Sequence, residues 1–221
     1  MSNPFFLNRL ASEPHALAFA GQSTPWPVAL ADETANPVLD ERLHEHMRSA
    51  QNLLYPVSAD LLATTGRPVD LFGFTPNPAK LGAAANAAAS VPGIALSQLG
   101  ALIDAEELGY KPAEAKPVAV LGHSQGILAV HMVQAIREAG SVEAAASKID
   151  EILAIATLIG VAGTRQARQL GLAARHGDAT PMLSVKDITR AQVDALIERV
   201  DGARGPIAVA VTNSATHYVL S

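Results

Sequence analysis

The sequence predicts an α/β fold with a smaller second segment, and three stretches carry that expectation. Pro117–Leu121 is an apolar, β-branched run of the kind found in inner parallel strands. The pentapeptide Gly122-His123-Ser124-Gln125-Gly126 follows as a turn, and Ile127–Glu138 then continues at helical period to a stop at Gly140. The tail reads as β-α-β-β: Met182–Val185, a helix opened by Asp187 or Thr189 and running to Val200, then Pro206–Val211 and His217–Ser221 around the turn Thr212–Ala215. With 221 residues the chain can bury one sizeable core and carry a small appendage. The expected division is 1–178 and 179–221.

The remaining elements follow in order. His15–Ala20, HALAFA, is a short apolar run that enters the loop Gly21-Gln22-Ser23-Thr24-Pro25, as a buried first strand would. Pro37–Tyr55 has apolar residues at helical spacing and reads as a surface helix. Pro56–Pro92, rich in Pro, Gly and Ala, does not resolve into elements. Val91–Leu108 reads as a buried helix. Ser141–Ala162 reads as a second helix after the turn, with Ile152, Leu153, Ile155, Ala156 and Ile159 as its apolar face.

Bulk properties exclude several classes. No uninterrupted apolar run reaches the roughly 18 residues of a membrane helix, and the N-terminus lacks the pattern of an export leader, so a soluble, cytoplasmic protein without a membrane partner is expected. The absence of cysteine rules out disulfides, thiolate zinc sites and a cysteine nucleophile; no metal is expected. A net charge of -5 with no concentrated basic face argues against nucleic acid.

The chemistry concentrates at Ser124. A serine between glycines at a strand-to-helix turn projects its hydroxyl above the sheet edge, while the next backbone N–H, that of Gln125, lies where helix donors are unpaired and anions are favoured. The alternative is that the pentapeptide is only a tight turn. A serine hydroxyl needs a base, and the seven histidines offer none that is obvious. His123 points differently around the turn, His131 lies about two turns along the helix, His44 and His46 belong to a surface helix, His15 precedes the first strand, and His176 sits in a polar linker. His217, entering a strand after a turn, is the best placed of them.

Phe19-Ala20-Gly21-Gln22-Ser23, the Gly122–Gly126 turn and Val211-Thr212-Asn213-Ser214 followed by YVLS together resemble the acyl-CoA:acyl-carrier-protein transacylase family, in order and across nearly the whole chain. The Gln in GHSQG and the N-terminal context look most like the acyltransferase region of bacterial and fungal type I fatty acid synthases, the actinobacterial kind in particular. The resemblance implies a hydrolase-like core with a nucleophile elbow and an inserted ferredoxin-like subdomain. It implies Ser124 as nucleophile, Gln22 and Gln125 as backbone donors of an oxyanion hole, and His123, Ile159 and Asn213 beside the substrate. No permanently bound cofactor is implied: acyl-CoA is the donor, the phosphopantetheine thiol of an acyl carrier protein the acceptor, and other synthase domains the partners.

Two departures from the family pattern matter. Members that transfer malonyl groups pair its carboxylate with an arginine in the second helix after the elbow; here the segment is AIATLIG, Ala154–Gly160, and Ile159 takes that place, so an uncharged acyl group such as acetyl is expected. Arg165, some two turns on, could rescue malonyl only in part. The family's catalytic histidine follows the inserted subdomain, so it is expected beyond residue 221, with a truncated, weakly active chain and His217 as a strand residue. Two other readings stand beside the transacylase: a serine esterase or thioesterase of the α/β-hydrolase kind, and a non-catalytic structural segment of a synthase.

Overall fold

The computed structural model describes residues 12–21, 26–60, 87–169, 183–204 and 207–220. Two compact units divide at Leu170/Gly171, each with its own apolar core.

In the first unit, β1 (Ala16–Phe19) pairs in parallel with β2 (Ala119–Gly122), Ala16 opposite Ala119 and Phe19 opposite Gly122. The alternation of a strand puts Leu17, Phe19 and Val120 against the helices, while Ala16, Ala18 and Leu121 face outward. Helix α1 (Trp26–Thr34), which the sequence reading did not assign, leads into α2 (Pro37–Leu54). The start of α2 is fixed locally: the Asn36 side chain accepts from Val38 N at 3.1 Å, and Pro37 occupies the first turn, where its missing N–H costs nothing. Leu39, Leu43, Met47, Ala50 and Leu54 form its buried stripe.

Helix α3 (Ala87–Glu107) is the centre of this unit, packed against α1, α2 and α6 (Ala146–Gln169), and it starts earlier than the expected Val91. It is 21 residues long and apolar enough by composition to cross a membrane, yet most of it is buried inside the fold. Every residue from Ser90 to Gly100 is buried. Two of them make room for α1: a Cβ on Gly93 would stand 2.5 Å from the Trp26 ring, and one on Gly100 would stand 2.1 Å from Glu33 Oε2. Glu33 therefore lies against α3 with Oε2 buried and unpartnered. Burial, then the charges of Asp104 and Asp32, push its pKa up to about 8.

A short helix, α4 (Pro112–Ala115), precedes β2; α5 (Ile127–Ala139) follows it and ends at Gly140 in the left-handed region. Helix α6 begins at Ala146 rather than Ser141, whose hydroxyl instead accepts from Ala144 N at 3.1 Å. Of its expected apolar face, Ile152, Leu153 and Ala156 are buried but Ile155 and Ile159 are each 49% exposed. Between α2 and α6, His46 Nδ1 lies 2.6 Å from Asp150 Oδ1, both side chains less than a tenth exposed.

The second unit is β3 (Leu183–Lys186), α7 (Arg190–Arg204), β4 (Val209–Ser214) and β5 (His217–Leu220), with β5 antiparallel to both other strands at the centre of the sheet. Val193 of α7 packs with Tyr218 and Leu220. Thr189, one of the two residues expected to open α7, does so reciprocally with Gln192: Thr189 N donates to Gln192 Oε1 at 2.8 Å and Gln192 N to Thr189 Oγ1 at 3.4 Å. Strand β4 runs three residues beyond Val211, so the turn is Ala215-Thr216 rather than Thr212–Ala215. The extra length is absorbed by a register shift between Thr212 and Ser214, which leaves Asn213 as the bulged residue.

Two stability predictions follow from the buried ionisable groups. Folding holds the Glu33 proton up to about pH 8, whereas the unfolded chain releases it near 4.5, so the folded state binds more protons in between and stability falls as pH rises through that window. Glu33→Gln is expected to remove the slope, unfolding at higher urea than the parent by at least about 1 kcal/mol at pH 8 and converging with it near pH 4. Asp150→Ala, which strands a buried imidazole, is expected to cost about 3 kcal/mol in urea unfolding at pH 7.

Candidate active site

Strand β2 ends at Gly122, His123 is still extended, and Ser124 turns abruptly into the left-handed region with φ 53 before the 3-10 turn Ser124–Gly126 opens α5. A serine rarely adopts this conformation, which costs on the order of 1–3 kcal/mol and persists only where the surroundings enforce it. Here they are backbone. His123 N donates to Phe19 O at 3.0 Å, extending the parallel ladder one residue past β2, and Gly126 N donates to His123 O at 2.9 Å. A Cβ on Gly126 would stand 2.2 Å from Phe19 O. One on Gly21 would stand 2.5 Å from His123 O, 2.8 Å from Ser124 Cβ and 3.0 Å from Gln125 N. The segment leaving β1 and the turn leaving β2 thus touch main chain to main chain, and only glycine fits at the crossing.

The result is an exposed Ser124 on a rigid support. Gln125 follows it with its side-chain Oε1 buried and unpartnered, and His123 is exposed beside them. These three expected site residues come together by sequence adjacency. Gln22 lies outside the described residues. Ile159 is half exposed on α6. Asn213 belongs to the second unit, where its Nδ2 is 3.4 Å from His217 Nε2.

Four of the described histidines are engaged elsewhere. His15 Nε2 meets the Tyr110 hydroxyl at 2.6 Å, His44 sits over Asp40, and His46 is paired with Asp150. His217 Nε2 is hydrogen-bonded with Ser184 Oγ at 2.8 Å across β3 and β5, making it a strand residue with a partner inside its own unit. His176 lies outside the described residues. Among the described residues no histidine is hydrogen-bonded to Ser124.

One residue escaped the sequence reading. Gln98, on α3 and 7% exposed, donates from Nε2 to Ala20 O at 2.6 Å, gripping the segment that crosses the elbow. Its only signal is a polar amide inside the apolar run VPGIALSQLG.

The described geometry is a left-handed serine on a strand-turn-helix junction, backed by a glycine crossing. Residues 79–219 match the family described as "Starter unit:ACP transacylase in aflatoxin biosynthesis" (SAT). That match spans well over half the chain, which belongs to this family of acyltransferases serving an acyl carrier protein. No curated protein matches it.

The crossing gives a direct test. Gly126→Ala drives a Cβ into the Phe19 carbonyl, a backbone atom that cannot swing aside. The variant is expected to lose about 2 kcal/mol or more in urea unfolding and to lose any Ser124 reactivity with it.

Proposed function

We propose that this chain transfers an uncharged starter acyl group, acetyl in the simplest case, from coenzyme A to the phosphopantetheine thiol of an acyl carrier protein in fatty acid biosynthesis. The observation that carries the reading is the left-handed Ser124 at the strand-to-helix junction. In this reading the first unit is the hydrolase-like core with its nucleophile elbow, and the second is part of a ferredoxin-like insertion.

Ser124 Oγ attacks the thioester carbonyl carbon, giving up its proton to a base; the carbonyl oxygen becomes an oxyanion held by main-chain N–H groups, those of Gln125 and Gln22. The C–S bond then breaks, coenzyme A leaves as the thiol, and the acyl group stays as an ester on Ser124. The carrier-protein thiol attacks that ester by the same route in reverse and regenerates the serine. The family resemblance assigns the base to a histidine that follows the inserted subdomain.

The preference for an uncharged acyl group rests on α6. Ile155, Leu158 and Ile159 are large apolar side chains exposed on it, and Arg165 follows Ile159 by six residues, roughly 9 Å along the axis. A malonyl carboxylate brought to Ile159 would shed water and gain no cation.

Intact-protein mass measurement after mixing with acetyl-CoA or malonyl-CoA tests this. An acetyl adduct that disappears in Ser124→Ala, with at least about tenfold less malonyl adduct, is expected, a discrimination of about 1.4 kcal/mol. Ile159→Arg should then raise the malonyl adduct relative to acetyl. Equal adducts from both donors would remove the specificity argument; an adduct that survives Ser124→Ala would remove the nucleophile.

A further inference from the structure

We propose that Gln98 is a positioning residue for the acyl-transfer site: its amide holds the Ala20–Gly21 main chain against the elbow, and so fixes the wall of the site that faces the Ser124 hydroxyl. The proposal rests on Ser124 being the acyl carrier and adds a residue that neither the sequence reading nor the family match assigns.

Geometry supplies the first argument. The chain leaving β1 reaches Ser124 at Gly21, where a Cβ would come within 2.8 Å of Ser124 Cβ and 3.0 Å of Gln125 N. Displacing this segment by even a fraction of an ångström changes what lies over the serine. The ladder ends one residue earlier, with His123 N on Phe19 O. The next carbonyl, Ala20 O, is held from outside the sheet by Gln98 Nε2 at 2.6 Å. Gln98 projects from the most buried helix of the unit, so its anchor does not move with the surface. The acceptor also settles the orientation of the amide, since only its NH2 end can face a carbonyl.

The second argument is energetic. Pointing NH2 at Ala20 leaves Gln98 Oε1 buried with no partner. An apolar side chain of the same size would avoid that penalty. A residue that strands half of its own amide in the core is a poor choice for stability, and holding Ala20 O is what it contributes. Position and stability therefore part company at Gln98.

The test uses the full chain with two substitutions and two readouts. Gln98→Leu keeps the volume and removes the donor. It is expected to unfold at the same or higher urea than the parent, yet to acylate Ser124 from acetyl-CoA about 10–100-fold more slowly, with the acetyl-CoA concentration for half-maximal rate unchanged. Gln98→Glu can donate to Ala20 O only as the protonated acid, so its rate should approach the parent's below about pH 6 and fall away from it toward pH 8. Amide hydrogen exchange is the second readout and needs no activity: Gly21 and the hydrogen-bonded amides of His123 and Gly126 should exchange faster in Gln98→Leu, with α2, α5 and α6 unchanged. Unchanged exchange at those three amides overturns the proposal. So does parent-like acylation by Gln98→Leu, or a Gln98→Glu profile that tracks the parent. If the parent itself takes no acetyl group, the Ser124 reading fails, and the exchange result still decides whether Gln98 holds the segment.

Discussion

Two pieces of backbone meet without side chains between them where β1 and β2 end, and the site depends on that contact. Phe19 O accepts from His123 N and lies where a Gly126 Cβ would have to go; Gly21 lies where its own Cβ would strike His123 O. A parallel pair of four-residue strands holds this crossing in register, and the left-handed Ser124 is its consequence. A serine at φ 53 would relax if the chain could swing outward, but Phe19 to Gly21 stands in the way on one side and the first turn of α5 on the other. The strain, on the order of 1–3 kcal/mol, is small against the burial of Leu17, Phe19 and Val120 on the helical core.

Helix α3 carries that core, and its sequence explains how one helix can serve several neighbours. Gly93 and Gly100, seven residues apart, lie on one stripe and admit Trp26 and Glu33 of α1. The C-terminal end is tied to α2, where Arg42 reaches Glu106 at 3.1 Å. Gln98, on the same helix, reaches out to the elbow segment. The seat of α1 and the hold on Ala20 beside the Ser124 turn thus come from one element, which is why a polar side chain can sit in its apolar stretch and still be useful.

The sequence made the regular parts legible wherever a local signal was strong. Strand, turn and helix around Ser124 were readable because apolar β-branched residues, two glycines and a 3.6-residue period follow one another without interruption. The start of α7 was narrowed to Asp187 or Thr189, and Thr189 caps it together with Gln192. What was hidden depends on tertiary packing. Helix α1 has few periodic apolar positions and holds its place through Trp26 on a glycine, a contact written on α3 rather than on α1. The bulge at Asn213 consumes a residue that local turn chemistry would have given to the loop. Gln98 received no assignment because its partner, Ala20 O, is a backbone atom 78 positions away.

The outward direction of Ile159 is the clearest case of packing overriding pattern. By hydrophobicity alone α6 should bury Ile155 and Ile159, and it does not. Small and polar residues take the inner positions instead. Thr157 is fully buried with its hydroxyl on Leu153 O at 2.9 Å, Gly160 lies where a Cβ would stand 2.3 Å from Ala87 O, and Thr164 Oγ1 accepts from Ala88 N at 2.9 Å. That last bond satisfies one of the unpaired donors at the start of α3. The last two contacts, both to the start of α3, fix the rotation of α6 about its axis, because one residue of slippage turns the helix by roughly 100° and breaks both. Once the rotation is fixed, the side chains at 155, 158 and 159 must point away from α3, whatever their polarity. Their identity is then free of the demands of the core. Three aliphatic residues in such positions give up burial that stability would favour.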